Sequence, residues 1–167
     1  MKSYQSLIQS LDQLVTVYRH LLEAVRRENE ALLTADMQAL PDINLTKEKL
    51  ILKVKELDGK WQLSADELAI ELEIKINRPR LLDFAAYFKG DEATKLEQLH
   101  SVLNMLVNRI VEFNKKNEPL VYSALSHISG AMDSITKTLN ENPTYKNSGS
   151  LEADNKDAQG RLVQREV

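Results

Sequence analysis

The 167 residues contain no cysteine, which removes disulfides, thiolate-held zinc and cysteine nucleophiles and leaves the redox compartment open. Aromatic residues make up only 5% of the chain, with 5 glycines and 4 prolines. That scarcity argues against a turn-rich, aromatic-rich sheet and for an all-α fold. No apolar run approaches the ~18 residues needed to span a bilayer, so membrane insertion is not expected. The opening MKSYQSLIQSLDQL has neither an apolar core nor a small-residue cleavage site, so no signal peptide is read and the expected location is cytoplasmic. The net charge of -3, without a Lys/Arg block, gives no footprint for a nucleic-acid partner. There is also no Gly-rich phosphate loop and no G-x-S-x-G nucleophile signature. An enzyme is not expected, and no cofactor is called for.

What is present is helical periodicity. Leu7, Leu11, Leu14, Tyr18, Leu21, Val25 and Leu32 alternate by 4 and 3, interrupted only at Glu28. After Thr34 to Asp36, where Asp36 is a plausible N-cap, a second seam runs through Leu40, Ile43, Leu50, Val54, Leu57 and Trp61, with Lys47 in its skipped position. Neither helix can bury its stripe alone, so the two form an antiparallel hairpin. Ser64-Ala-Asp-Glu67 has the form of a capping box and predicts a separate short helix, LAIELE. Pro79 is placed at the start of a compact helix, RLLDFAAYFKG, closed by Gly90.

A long C-terminal helix then begins at Asp91, with Leu96, Leu99, Leu103, Leu106, Ile110 and Phe113 in strict 3 and 4 spacing. Asn117 occupies the next seam position, Pro119 follows, and the pattern resumes out of phase at Leu125, Ile128, Met132, Ile135 and Leu139. Pro119 deprives the carbonyl of Lys115 of its usual partner and predicts a kink or a break between two helices, with Asn114 and Asn117 able to engage freed backbone groups. Beyond Pro143 the composition becomes small and charged, predicting a flexible tail over 142–167 behind one helical domain over 1–141.

Chemistry is sparse. Glu97 and His100 have the Glu-x-x-His spacing of di-iron carboxylate bundles, but such sites need a second pair and two more glutamates, and His20 and His127 have none at that spacing. No metal site is expected. An exposed phospho-accepting histidine, His20 or His100, has no flanking residues that select it. The remaining feature is the strip Leu120, Val121, Leu125, Ile128, Met132, Ile135 and Leu139. It reads either as ordinary core or a homodimer seam, or as a surface for a partner's amphipathic helix with Met132 as an adaptable contact.

Asn114-x-x-Asn117-x-x-Leu120-Val121 in a C-terminal helix, then Pro143-Thr144-Tyr145 and Gly149, resembles the FlgN family of flagellar export chaperones, whose pattern is close to N-x-x-N-G-x-L-[LI] followed by P-T-x-Y and a glycine. LTKEKLIL, from Leu45 to Leu52, is similar to the family's early hairpin. The chain departs from the pattern at Glu118-Pro119, where the family has glycine after the second asparagine, and at Lys146 after the tyrosine. The resemblance implies a cytoplasmic chaperone that binds the C-terminal helical region of the hook-filament junction proteins FlgK and FlgL. It implies delivery to the type III export gate, with Tyr145 in a tail that contacts the gate component FlhA. The substrate-protein contacts are then expected at Asn114, Asn117, Leu120, Val121, Leu125, Ile128, Met132, Ile135 and Leu139. The alternative is a homodimeric coiled-coil scaffolding protein.

Overall fold

A computed structural model describes residues 1–76 and 79–141, the side chain of the last excepted. Its elements are α1 (Lys2–Leu33), α2 (Leu40–Glu71), α3 (Leu81–Ala85) and α4 (Asp91–Glu141), with no strand among the described residues. The described residues divide into two units, the first Met1–Tyr122 and the second beginning at Ser123.

In the first unit α1 and α2 form the expected antiparallel hairpin. Ser6 and Ser64 hydroxyls meet at 3.0 Å near one end, and Lys47 Nζ reaches Glu28 at 2.7 Å near the other. The turn between them uses a left-handed Ala35 (φ 55), after which the Asp36 N–H returns to the Ala31 carbonyl at 2.9 Å. That is a Schellman closure without its usual glycine. Asp36 accepts from the Ala39 N–H at 3.3 Å, and Pro41 sits in the first turn of α2, where a missing N–H costs nothing.

The first half of α4 lies along α1 in parallel. Tyr4 donates to the Glu92 carbonyl, Lys95 pairs with Asp12, and Asn29 donates to Asn117, at separations in sequence of 88, 83 and 88 residues. A near-constant offset is the signature of two parallel helices. Leu96, Leu99, Leu106 and Ile110 are thereby buried with Leu7, Leu11, Leu14, Val25, Leu57 and Leu68 in one core. α3 supplies Leu81 and the fully buried Phe84 to that core, and Phe88 packs against Tyr4 with the rings tilted at 53° and their centroids 4.8 Å apart.

Three expectations need correction. Ser64 does not cap a new helix: α2 continues to Glu71, and the buried Ser64 hydroxyl is used across the hairpin by Ser6. Nothing in Trp61-Gln-Leu breaks a helix, so the good local propensity carries it through. α3 is only five residues long and starts two positions after Pro79; the Asp83 carboxylate accepts from the Arg80 N–H at 2.7 Å, and left-handed Gly90 (φ 67) turns the chain into α4. Finally, there is no break at Pro119, because α4 stays helical from Asp91 to Glu141. Pro119 and Lys115 are both exposed, so the freed Lys115 carbonyl is open to water and the helix loses one bond rather than its continuity.

Candidate functional site

The sequence-predicted contact residues fall into separate environments. Asn117 is only 3% exposed, and its amide is fully engaged inside the first unit. It donates to the Val25 carbonyl at 3.1 Å and to Glu28 Oε2 at 2.8 Å, while its own oxygen accepts from Asn29 at 2.8 Å. The expectation that it would bond backbone groups freed by Pro119 is therefore replaced. Glu28 in turn takes Lys47 Nζ on both oxygens, at 2.8 and 2.7 Å. The polar residues that interrupt the three seams, Glu28, Lys47 and Asn117, thus find one another.

No buried side-chain polar atom among the described residues is left without a partner. Such a fully satisfied cluster favours one helix register, since sliding any one helix by a turn would leave a buried polar group without its partner. Sequence reasoning noted each interruption singly and missed the cluster. The signal was the presence of opposite charges at skipped seam positions. Asn114 is exposed, Leu120 half-buried and Val121 exposed.

In the second unit, Leu125, Ile128, Met132, Ile135 and Leu139 are all at least half exposed. Their 3-4-3-4 spacing aligns them on one stripe. At the positions that flank such a stripe stand Ala124, Ser129, Ala131, Thr136 and Thr138, small and uncharged throughout. Thr136 and Thr138 spend their hydroxyls on the carbonyls of Met132 and Ser134, both at 2.9 Å, as Ser134 does on Gly130 at 3.0 Å. These hydroxyls ask for no external partner. The surface is an exposed apolar band without charged flanks. Tyr145 lies outside the described residues.

An open cavity of about 740 Å³ in the first unit is lined by Tyr18, Asp58, Trp61, His100, Leu103 and Val107 among others. Trp61 Nε1 donates to Asp58 at 2.7 Å. Burial, and secondarily the Asp58 charge, pushes the Tyr18 phenol above its ordinary value. Among the described residues no group of three His, Asp or Glu is placed to hold a metal ion, Glu97 and His100 included, and no helix is long and apolar enough to cross a membrane.

The described residues thus form a helical bundle with a buried polar cluster, and α4 carries an exposed apolar stripe. The family model described as FlgN protein matches residues 1–153, and the chain belongs to the FlgN family. That places it among flagellar export chaperones, a family of chaperones rather than of enzymes. No curated protein and no solved structure matches it.

Proposed function

We propose that the chain acts in the cytoplasm as a chaperone that holds the C-terminal helical region of hook-filament junction proteins of the FlgK and FlgL kind, keeps it unassembled, and passes it to the export-gate component FlhA. The observation that carries this reading is the exposure of Leu125, Ile128, Met132, Ile135 and Leu139 together, on a helix with neutral flanks. Terminal helices of an assembly subunit expose apolar seams that pair prematurely, and this stripe offers them a temporary substitute. In the first unit, exposed Val121, half-buried Leu120 and exposed Asn114 are proposed as further contacts. Each large aliphatic side chain that becomes fully buried contributes roughly 1.5–3 kcal/mol before ordering costs, so a few anchors support micromolar or tighter binding. Neither nucleotide nor metal enters such a mechanism. Tyr145 is proposed as the gate contact on family resemblance.

The test is Ile128→Asp with Ile135→Asp. Both residues are exposed, so the melting temperature should stay unchanged while capture of a junction-protein C-terminal fragment is lost. Because the flanks are uncharged, wild-type affinity should change little with salt, as read by calorimetry. Unaltered capture by the double variant would refute the site. Deleting residues after Asn142 should leave capture intact and impair export.

A further inference from the structure

α2 and the first half of α4 flank the cavity of about 740 Å³, and α1 lies beneath it. α1 contributes Leu14 and half-buried Tyr18 to the lining, and α4 contributes Leu103 and Val107. The acidic side belongs to α2. Asp58, Gln62 and Asp66 follow one another at four-residue spacing, so they stand turn above turn along an exposed lip, with half-buried Trp61 beside them.

The Asp58 carboxylate is held on both oxygens by neutral donors, Trp61 Nε1 at 2.7 Å and Gln62 Nε2 at 3.3 Å. Neither Asp58 nor Asp66 has an ion-pair partner among the described residues. Their charge is left over at the mouth of the cavity. It also reaches inward, since the Asp58 charge is the second cause, after burial, that holds the Tyr18 phenol above its ordinary value. The basic groups in the lining are Arg80, exposed, and His100 on α4, so two carboxylates stand against one guanidinium and one imidazole.

These features select a chemistry. Trp61 spends its N–H on Asp58, so its ring is what remains for an occupant. Aromatic rings beside unpaired carboxylates attract a cation, and Leu14, Leu103 and Val107 suit the methylene stem that carries one. Of the basic side chains arginine fits better, because its guanidinium is planar, weakly hydrated and stacks on aromatic faces. The volume lies within the ordinary range of ligand pockets and leaves room for apolar neighbours of that arginine.

We propose that this cavity is a socket for an arginine side chain of another protein, flanked there by apolar residues. The guanidinium lies at Trp61 and the Asp58 carboxylate, and the stem lies on Leu103 and Val107. The socket belongs wholly to the first unit and stands whether or not Leu125 to Leu139 hold a client.

Trp61 is the only tryptophan of the chain, so its fluorescence reads the cavity directly. The probe is the capped tripeptide Leu-Arg-Leu, titrated into the full chain beside the same peptide with citrulline, which keeps the shape of arginine and loses its charge. Leu-Arg-Leu should change the Trp61 emission saturably and bind about fivefold or more tighter than the citrulline peptide, through an exposed ion pair and a cation-π contact together. Asp58→Asn keeps an acceptor for Trp61 and should cut the preference for arginine by about threefold, with helical circular dichroism unchanged because the side chain is exposed. Ile128→Asp with Ile135→Asp should bind the peptide as the wild type does. Equal binding of the two peptides would overturn the proposal, as would no saturable change by about 20 mM Leu-Arg-Leu. So would a preference unaltered in Asp58→Asn, free arginine binding as tightly as the peptide, or loss of binding through Ile128→Asp with Ile135→Asp.

Discussion

The two halves of α4 share one helix and one apolar spacing, yet Leu96, Leu99, Leu106 and Ile110 are buried while Leu125, Ile128, Met132, Ile135 and Leu139 are exposed. Period alone does not separate them. What differs is the availability of a second stripe: α1 supplies one to the first half of α4, and at the pairing offset of 88 residues its last residue, Leu33, comes level with the neighbourhood of Val121. The compact unit ends at Tyr122. The second half of α4 keeps the spacing of a core while its apolar side chains stay exposed.

The largest effects should come from testing this directly. Leu96 is fully buried, so Leu96→Ala should cost about 2–5 kcal/mol in urea denaturation, through lost transfer energy and a residual cavity. The matched substitution Ile135→Ala, on a side chain 55% exposed, should stay within about 0.5 kcal/mol. A cost at Ile135 comparable to that at Leu96 would mean that the second seam is covered in the isolated protein, and the contrast between the halves would fail.

The two asparagines of the Asn-x-x-Asn element offer the next contrast. Asn117→Ala should destabilise by about 1–3 kcal/mol, because Glu28 and the Val25 carbonyl lose a buried donor. Asn114→Ala, at an exposed position, should change stability by less than about 0.5 kcal/mol. If the two cost the same, the buried cluster does not fix the register of α4 on α1.

The hairpin and the first seam of α4 were readable from the sequence because burial there follows spacing: Leu7, Leu11, Leu14, Val25 and Leu57 are core residues as the heptads predict. Where local chemistry was weighed against continuity, the tertiary context decided otherwise. Ser64 has the sequence of a cap, but its hydroxyl is used by Ser6 across the hairpin, a pairing of residues 58 apart that no local window contains. The long-range character of the Asn117 contacts hid that site in the same way, since its partners lie 88 to 92 residues away.

Pro119 lies close to the end of the first unit and tests whether the halves of α4 behave independently. Pro119→Ala restores a donor to the Lys115 carbonyl, and in an ordinary helix interior the exchange of proline for alanine is worth about 3 kcal/mol. Here the gain should appear as slower hydrogen exchange in the residues just around the substitution, while the global urea midpoint moves by less than about 0.5 kcal/mol equivalent. A global gain near the full helical value would show that both halves unfold as one unit.

The smallest effect carries the contrast of buried and exposed into charge. Glu28 and Lys47 pair inside the first unit, whereas Glu56 pairs in the open on α2 with Lys53 at 2.7 Å and Lys60 at 2.6 Å. Hydrogen bonds from Lys53 and then Lys60, reinforced by their charges, hold the Glu56 carboxyl down at about 2, below its ordinary 4.5. A depressed folded-state value means that the contribution of Glu56 to stability is complete above the ordinary carboxylate range and is lost as pH falls from there through about 2. Because the pair is exposed, that contribution is small and salt-sensitive. NMR titration of the Glu56 side-chain carboxyl should therefore find the low midpoint in dilute buffer and a shift upward towards 4.5 in molar salt. The unfolding midpoint should barely respond to Glu56→Gln. A midpoint indifferent to salt would show Glu56 held by something other than its two lysines.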